Sequence, residues 1–172
     1  TYTCTVCAEK RTERIPKLER KERSIGTLAE LQAFAAESKE NDFQGYTITL
    51  TADIDASGVQ WEPIGRFAKT SDYTAFAGTF DGGGHTVTIC ADDAGASGLG
   101  FIAANLGTVK NLTVAGSVSG KSYVGGIVGY NLGTISGCTN KAEVTAVSMT
   151  VGGITSYLKG GARVEKCANL GA

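Results

Sequence analysis

The ten residues from Gly100 to Val109 return 26 residues later as Gly126 to Ile135, sharing Asn105/Asn131, Leu106/Leu132, Gly107/Gly133 and Thr108/Thr134. Val118 and Val144 keep the same offset, so the register holds across the unit. A third copy opens at Val151-Gly152-Gly153-Ile154, where Gly126 meets Gly153 at an offset of 27 and Tyr130 meets Tyr157. Val164-Glu165-Lys166-Cys167 then meets Ile135-Ser136-Gly137-Cys138 at 29, with two residues inserted between Lys159 and Ala162. Repetition at this period predicts a solenoid, because one unit cannot bury its own apolar face and gains a core only by stacking on its neighbours.

Two solenoids fit such a period. A leucine-rich repeat needs Leu at several fixed sites, but those sites hold Val, Ile, Gly and Cys. No helical periodicity occurs inside a unit. Short β-branched runs broken by Gly favour strands, so the chain reads as a β-helix whose coils pair edge to edge about 4.8 Å apart. The earlier Tyr46–Thr51 and Thr86–Ile89 alternate with period two as half-buried strands do. Asp81-Gly82-Gly83-Gly84 between them is turn chemistry.

Ahead of the strands, Thr27-Leu28-Ala29-Glu30 has the form of a capping box. Leu28, Leu31, Phe34 and Ala35 follow as one apolar stripe, predicting an amphipathic helix from Leu28 to about Ser38. A helix in this place reads as a lid over the end of the stack.

Composition splits the chain. Eleven of the fifteen residues from Glu9 to Arg23 are charged, with seven basic and four acidic, whereas the 132 residues from Asn41 onward carry 18 charges. All but one of the 24 glycines fall from Gly45 onward. The mixed-sign run reads as a solvated linker, giving residues 1–23 as tail and linker and 24–172 as helix plus β-helix. Formal net charge is −1, against the basic excess of a nucleic-acid binder. No apolar run approaches the roughly 20 residues of a membrane span.

Candidate chemistry is sparse. Cys4 and Cys7 form a C-x-x-C, open to three readings: a structural pair or local disulfide, half a zinc site, or a redox pair. Zinc needs two further ligands, and a redox pair needs a βαβ setting. Cys90, Cys138 and Cys167 read as one slot of successive coils with Leu112 as its fourth member, hence an inward stack of small hydrophobes; a Cys138–Cys167 disulfide is the lesser reading. Asp92, Asn140 and Asn169 each follow that slot by two residues and read as coil corners. Asp53 and Asp55 sit at i, i+2, a weak metal pair whose simpler role is hydrogen bonding within a turn. Trp61 is the one candidate sugar platform, set against packing between the helix and the first coil. His85 lacks a nucleophile in a matching context, and Asn111-Leu112-Thr113 is a glycosylation sequon by pattern alone. No catalytic residue and no cofactor is expected.

Gly125-Gly126-Ile127-Val128-Gly129-Tyr130-Asn131 and Val151-Gly152-Gly153-Ile154 resemble GLUG motifs, the short Gly-rich repeats of large bacterial surface proteins. Leu50-Thr51-Ala52-Asp53-Ile54-Asp55, Trp61-Glu62-Pro63-Ile64-Gly65 and Phe76 to His85 resemble the lead-in to such repeats; the third copy departs with Thr155-Ser156 in place of Val128-Gly129. Tyr2 to Cys7 with Thr12 to Pro16 resembles the tail of a small Cys-containing repeat of Gram-positive surface proteins.

The resemblance implies a right-handed parallel β-helix; the repeat register predicts about four coils, with Val109, Leu112, Val118, Ile127, Ile135, Cys138, Val144, Ile154 and Val164 inward. Gly125, Gly126, Gly152 and Gly153 should stand where a Cβ would clash. It further implies an extracellular fragment of a longer exported bacterial protein: a non-catalytic stalk or adhesive module for a glycan or protein. A polysaccharide lyase or hydrolase and a bare spacer are the alternatives. The last coil, with no closing helix, is expected to associate end to end.

Overall fold

A computed structural model describes residues 2–3, 10–11 and 21–172. Cys4, Cys7, and the resemblance and linker readings for most of residues 1–20 lie outside the described residues; Tyr2–Thr3 and Lys10–Arg11 pair antiparallel.

From Lys21 the chain winds as a parallel β-helix with three faces. The first face stacks Lys21–Ile25, Tyr46–Leu50, Thr79–Asp81, Thr108–Lys110, Thr134–Ser136 and Arg163–Glu165. The second holds Ile54–Gln60, Thr86–Leu99 and Thr113–Gly125, then Thr139–Asn140 and Glu143–Gly152 side by side on Thr113–Gly125, then Ala168–Asn169. The third stacks Ile102–Asn105, Val128–Asn131 and Thr155–Leu158. Thr108 pairs with Thr134 and Ile102 with Val128, so the 26-residue repeat is one coil; Ile135 pairs with Val164 across the insertion.

The first face has six strands, which corrects the expectation of about four coils. Lys21–Ile25 and Tyr46–Leu50 carry no Gly-rich signature, so counting repeats misses them. Lys21, Glu22 and Arg23, the end of the charged run, pair in register with Tyr46, Thr47 and Ile48 as part of the stack.

Helix Leu28–Glu37 closes the first end of the interior. Thr27 Oγ1 accepts from the Glu30 amide at 3.3 Å, and Glu30 Oε2 accepts from the amides of Thr27 and Gly26 at 3.1 and 2.9 Å. Leu31, Phe34 and Ala35 are buried, and the Phe34 ring lies 4.8 Å from Phe43, 6.0 Å from Phe76 and 6.2 Å from Phe80. The far end of the helix is tied to the segment Pro63–Gly65: Ser38 Oγ accepts from the Gly65 amide at 2.7 Å, while Lys39 Nζ donates to the carbonyls of Pro63 and Gly65. Those bonds fix the lid laterally, where burial alone would let it slide.

Inward columns fill the stack. Phe80, Val109 and Ile135 are fully buried in one register; Val164, the next member, is 36% exposed because no described coil covers it. Leu112, Val118, Ile127 and Cys138 are buried as expected, while Val144, Ile154 and Cys167 are half-buried against the same core. Cys90 leaves the expected slot: it pairs with Ser117 on the second face, four residues beyond the Thr113 that follows Leu112. The slot holds Leu112, Cys138 and Cys167, shown by Thr113–Thr139–Ala168 pairing.

Asn140 and Asn169 are likewise not corners. They continue the inward column Ile54–Val87–Val114 as strand residues. Asn140 is fully buried and fully bonded: Nδ2 donates to Ala142 O at 3.0 Å and Oδ1 accepts from the Ala142 amide at 3.1 Å. A Cβ on Gly126 would overlap Asn140 Oδ1, and one on Gly153 would overlap the side chain of Asn169. The motif glycines make room for these amides, which is a demand of close approach.

Candidate functional site

Trp61 is 2% exposed, and this excludes it as an open sugar platform. Its ring stacks on Phe101 with centroids 5.4 Å apart and planes 7° from parallel, and Nε1 donates to Phe101 O at 3.2 Å. A buried indole needs such a partner, and here it anchors the seam between lid and stack. Only a shallow depression of ≈ 260 Å³ borders it, lined also by Gln32, Ala35, Ala36, Gln60 and Glu62.

The aspartates are tied to the backbone. Asp53 Oδ1 accepts from the Thr86 amide at 2.9 Å and lies 3.2 Å from His85 Nδ1. Asp55 Oδ1 accepts from the Ser57 amide at 2.9 Å, so the two carboxylates serve separate backbone segments. The Thr86 amide and then His85 hold the Asp53 carboxyl below its ordinary range, and Ser57 does so for Asp55. Asp81 is partly buried, which works upward; the Gly83 amide, Asn111 and Lys110 outweigh it and leave that carboxyl lowered. Among the described residues no group of three His, Cys, Asp or Glu side chains is placed to hold a metal ion.

Cys90, Cys138 and Cys167 are free thiols. Burial pushes the Cys138 thiol up to about 12, and its Sγ donates to the carbonyls of Ser136 and Val109 at 3.4 and 3.7 Å. Such a thiol packs as a small hydrophobe and is no nucleophile at neutral pH.

One cluster escaped the sequence reading. The hairpin of Arg66–Lys69 and Asp72–Thr74 lies against the outer side of the third face, where Phe67 and Ala75 pack on Ala103, Ala104 and Tyr130. Around Tyr130 stand Phe67 at 4.9 Å, Tyr157 at 5.1 Å, Tyr73 at 5.7 Å and Tyr123 at 5.9 Å, as ring centroids. Tyr130 and Tyr157 are register partners stacked 7° from parallel. Tyr73 and Tyr157 are each 37% exposed, whereas Tyr130 is buried; burial raises its phenol above the ordinary value and nearby Lys159 acts the other way. The repeat of Tyr130 as Tyr157 was the only signal in the sequence, since the hairpin that completes the cluster is an insertion within one coil, between Ile64 and Phe76, which pair with Ile102 and Asn105 on the third face.

Residues 120–145 match the family model described as the GLUG motif. The chain is 34% identical over 139 residues to Halomucin of Haloquadratum walsbyi, a match covering 76% of this chain and 2% of that relative, so the chain spans a small part of Halomucin's length. No solved structure matches. Residues 120–145 are a GLUG motif, set within coils of one register in a parallel β-helix.

Proposed function

We propose that this chain is a non-catalytic repeat module of an exported cell-surface protein, presenting a rigid outer surface to an extracellular glycan or protein. The observation that carries the reading is how the carboxylates are used. Asp53, Asp55, Asp81 and Asp93 each commit an Oδ1 to a backbone amide, at 2.9 to 3.0 Å. Hydrolysis or elimination on a polysaccharide requires converging carboxylates free to exchange protons or bind a cation. Here these four acids build the scaffold. The similarity to Halomucin supports a surface setting, and no helix among the described residues is long and apolar enough to cross a membrane.

A glycan-array screen run beside a reducing-sugar release assay tests this. Binding without release is the expected outcome. Release of sugar would establish the lyase or hydrolase reading instead, and silence in both assays would leave a spacer.

A further inference from the structure

The tyrosine cluster asks for an explanation that packing does not supply. Its rings lie outside the main core, on the solvent side of a face whose inner side is already filled. Tyr73 gives one face to Phe67 and Tyr157 gives one to Tyr130, yet both keep more than a third of their surface exposed. No hydroxyl of these four tyrosines is hydrogen-bonded within the described residues. Exposed rings with free hydroxyls at their edges suit a ligand that is apolar on one side and hydroxylated at its rim, as sugar rings are.

The charge around the cluster narrows the class. The backbone amide of Lys159 donates to Asn131 O at 3.2 Å, which places Lys159 beside the Tyr130–Tyr157 pair. In the hairpin, Arg66 is occupied by Asp72 at 2.6 Å. Lys69 and Lys159 are exposed and form no ion pair among the described residues. The rim therefore offers the Lys159 ammonium and, across the hairpin from an Asp72 already paired with Arg66, that of Lys69, on a chain whose formal net charge is −1. Attraction for an anion here is local, since the whole molecule exerts none.

We propose that Tyr73, Tyr123, Tyr130 and Tyr157, rimmed by Lys69 and Lys159, form a binding site for an acidic polysaccharide, one bearing uronate or sulfate groups. The site rests on the adhesive reading above and specifies its ligand class. Rings of the polymer stack on Tyr73 and Tyr157, the phenol hydroxyls bond its rim, and the ammonium groups meet its acid substituents. Tyr130 is a positioning residue that holds Tyr157 and Tyr73 apart from the core.

Affinity electrophoresis in native gels tests this, with alginate as the uronate probe, dextran sulfate as the sulfate probe and dextran as the neutral control. The chain should be retarded by alginate or by dextran sulfate and not by dextran. Tyr73→Ala and Lys159→Gln should each weaken binding about tenfold, whereas Tyr130→Phe, which keeps the stacked ring, should weaken it less. Lys159 stands in an exposed loop, so its variant keeps the test valid if Tyr73→Ala disturbs the hairpin. Equal retardation by dextran overturns the acidic assignment. Retardation by dextran sulfate that ignores Tyr73→Ala is plain ion exchange and overturns the site. Polysaccharide binding untouched by either variant also overturns the site while leaving the adhesive reading standing. Silence in all three gels overturns the site, and the glycan array then decides whether the adhesive reading falls with it.

Discussion

The side-chain amide of Asn140 donates from Nδ2 to Oδ1 of Asn169 at 2.8 Å, one coil further along the stack. Asn105 and Asn131 make the same step on the third face, also at 2.8 Å. In parallel coils identical residues fall in register, so an inward amide can satisfy its neighbour where an isolated amide would be stranded. The ladder on the third face is incomplete at its start: Asn105 Oδ1 is buried without a partner, because the preceding rung holds Phe76, which has no donor to give.

Asn140→Ala should therefore destabilise by about 2 kcal/mol, since it strips partners from both backbone groups of Ala142 as well as from Asn169. Urea unfolding followed by circular dichroism measures it. Gly126→Ala should act in the same direction, its Cβ colliding with Asn140 Oδ1 and the Gly153 carbonyl. A loss below ~0.5 kcal/mol for both would show that the ladder is incidental.

Two corners of the coil require left-handed backbone. Gly98, Tyr123 and Thr150 stand in one register with φ of 72°, 55° and 35°; Asn111, Gly137 and Lys166 stand in another with 52°, 61° and 53°. Glycine fills each column once, and the other members bear a Cβ in a region that costs L residues roughly 1–2 kcal/mol. Lys166→Gly should raise stability by about 1 kcal/mol and Gly137→Ala lower it by a similar amount. Thermal unfolding of the two variants checks the pair. A destabilised Lys166→Gly would mean that the lysine side chain holds the corner.

These columns show what the sequence could and could not convey. The period is legible because each corner spends the same few residues, so Thr108 and Thr134 recur at one coil's length. Cys90 was misplaced because the preceding coil turns through Gly82 to His85, four residues where Asn111 and Leu112 suffice one coil later; a short β-branched run then matched the wrong face. The helix was legible through local chemistry, its capping box. The tyrosine cluster was not, since Phe67 and Tyr73 reach Tyr130 only through a hairpin inserted into the third-face segment of one coil. Trp61 illustrates the limit on site residues. Composition marks an indole as a candidate platform, and only Phe101, forty residues away, decides that it is buried.

Acid should weaken the fold in a defined direction. Glu30, Asp53, Asp55, Asp72 and Asp81 all have carboxyls lowered from ordinary values of 4.5 for Glu and 3.8 for Asp. A folded-state value below the unfolded one means that the unfolded chain binds more protons, so stability present above the ordinary value drains away as pH falls through it and beyond. The midpoint of thermal unfolding should hold steady in mild acid and decline below those values. Asp81→Asn should flatten the decline while lowering stability at neutral pH through the lost Lys110 contact, 3.1 Å in the parent. A midpoint that rises on acidification would contradict the assignment.

The last described coil should make this chain self-associate. Glu143–Gly152, Thr155–Leu158, Arg163–Glu165 and Ala168–Asn169 each have a strand neighbour on one side only. Beside those edges Val147, Met149, Val151, Leu158 and Leu170 are 50 to 70% exposed, and Val164 opens the core column at 36%. Unpaired strand edges next to apolar side chains template pairing with another chain. Light scattering across a concentration series should show the weight-average mass rising with concentration. Val164→Lys should suppress the rise, although the charge set against the core also weakens its own coil. Met149→Lys separates the two effects, because that side chain is 61% exposed and contributes little to the fold. If the mass stays monomeric throughout, the open end is tolerated as it stands and the association does not occur.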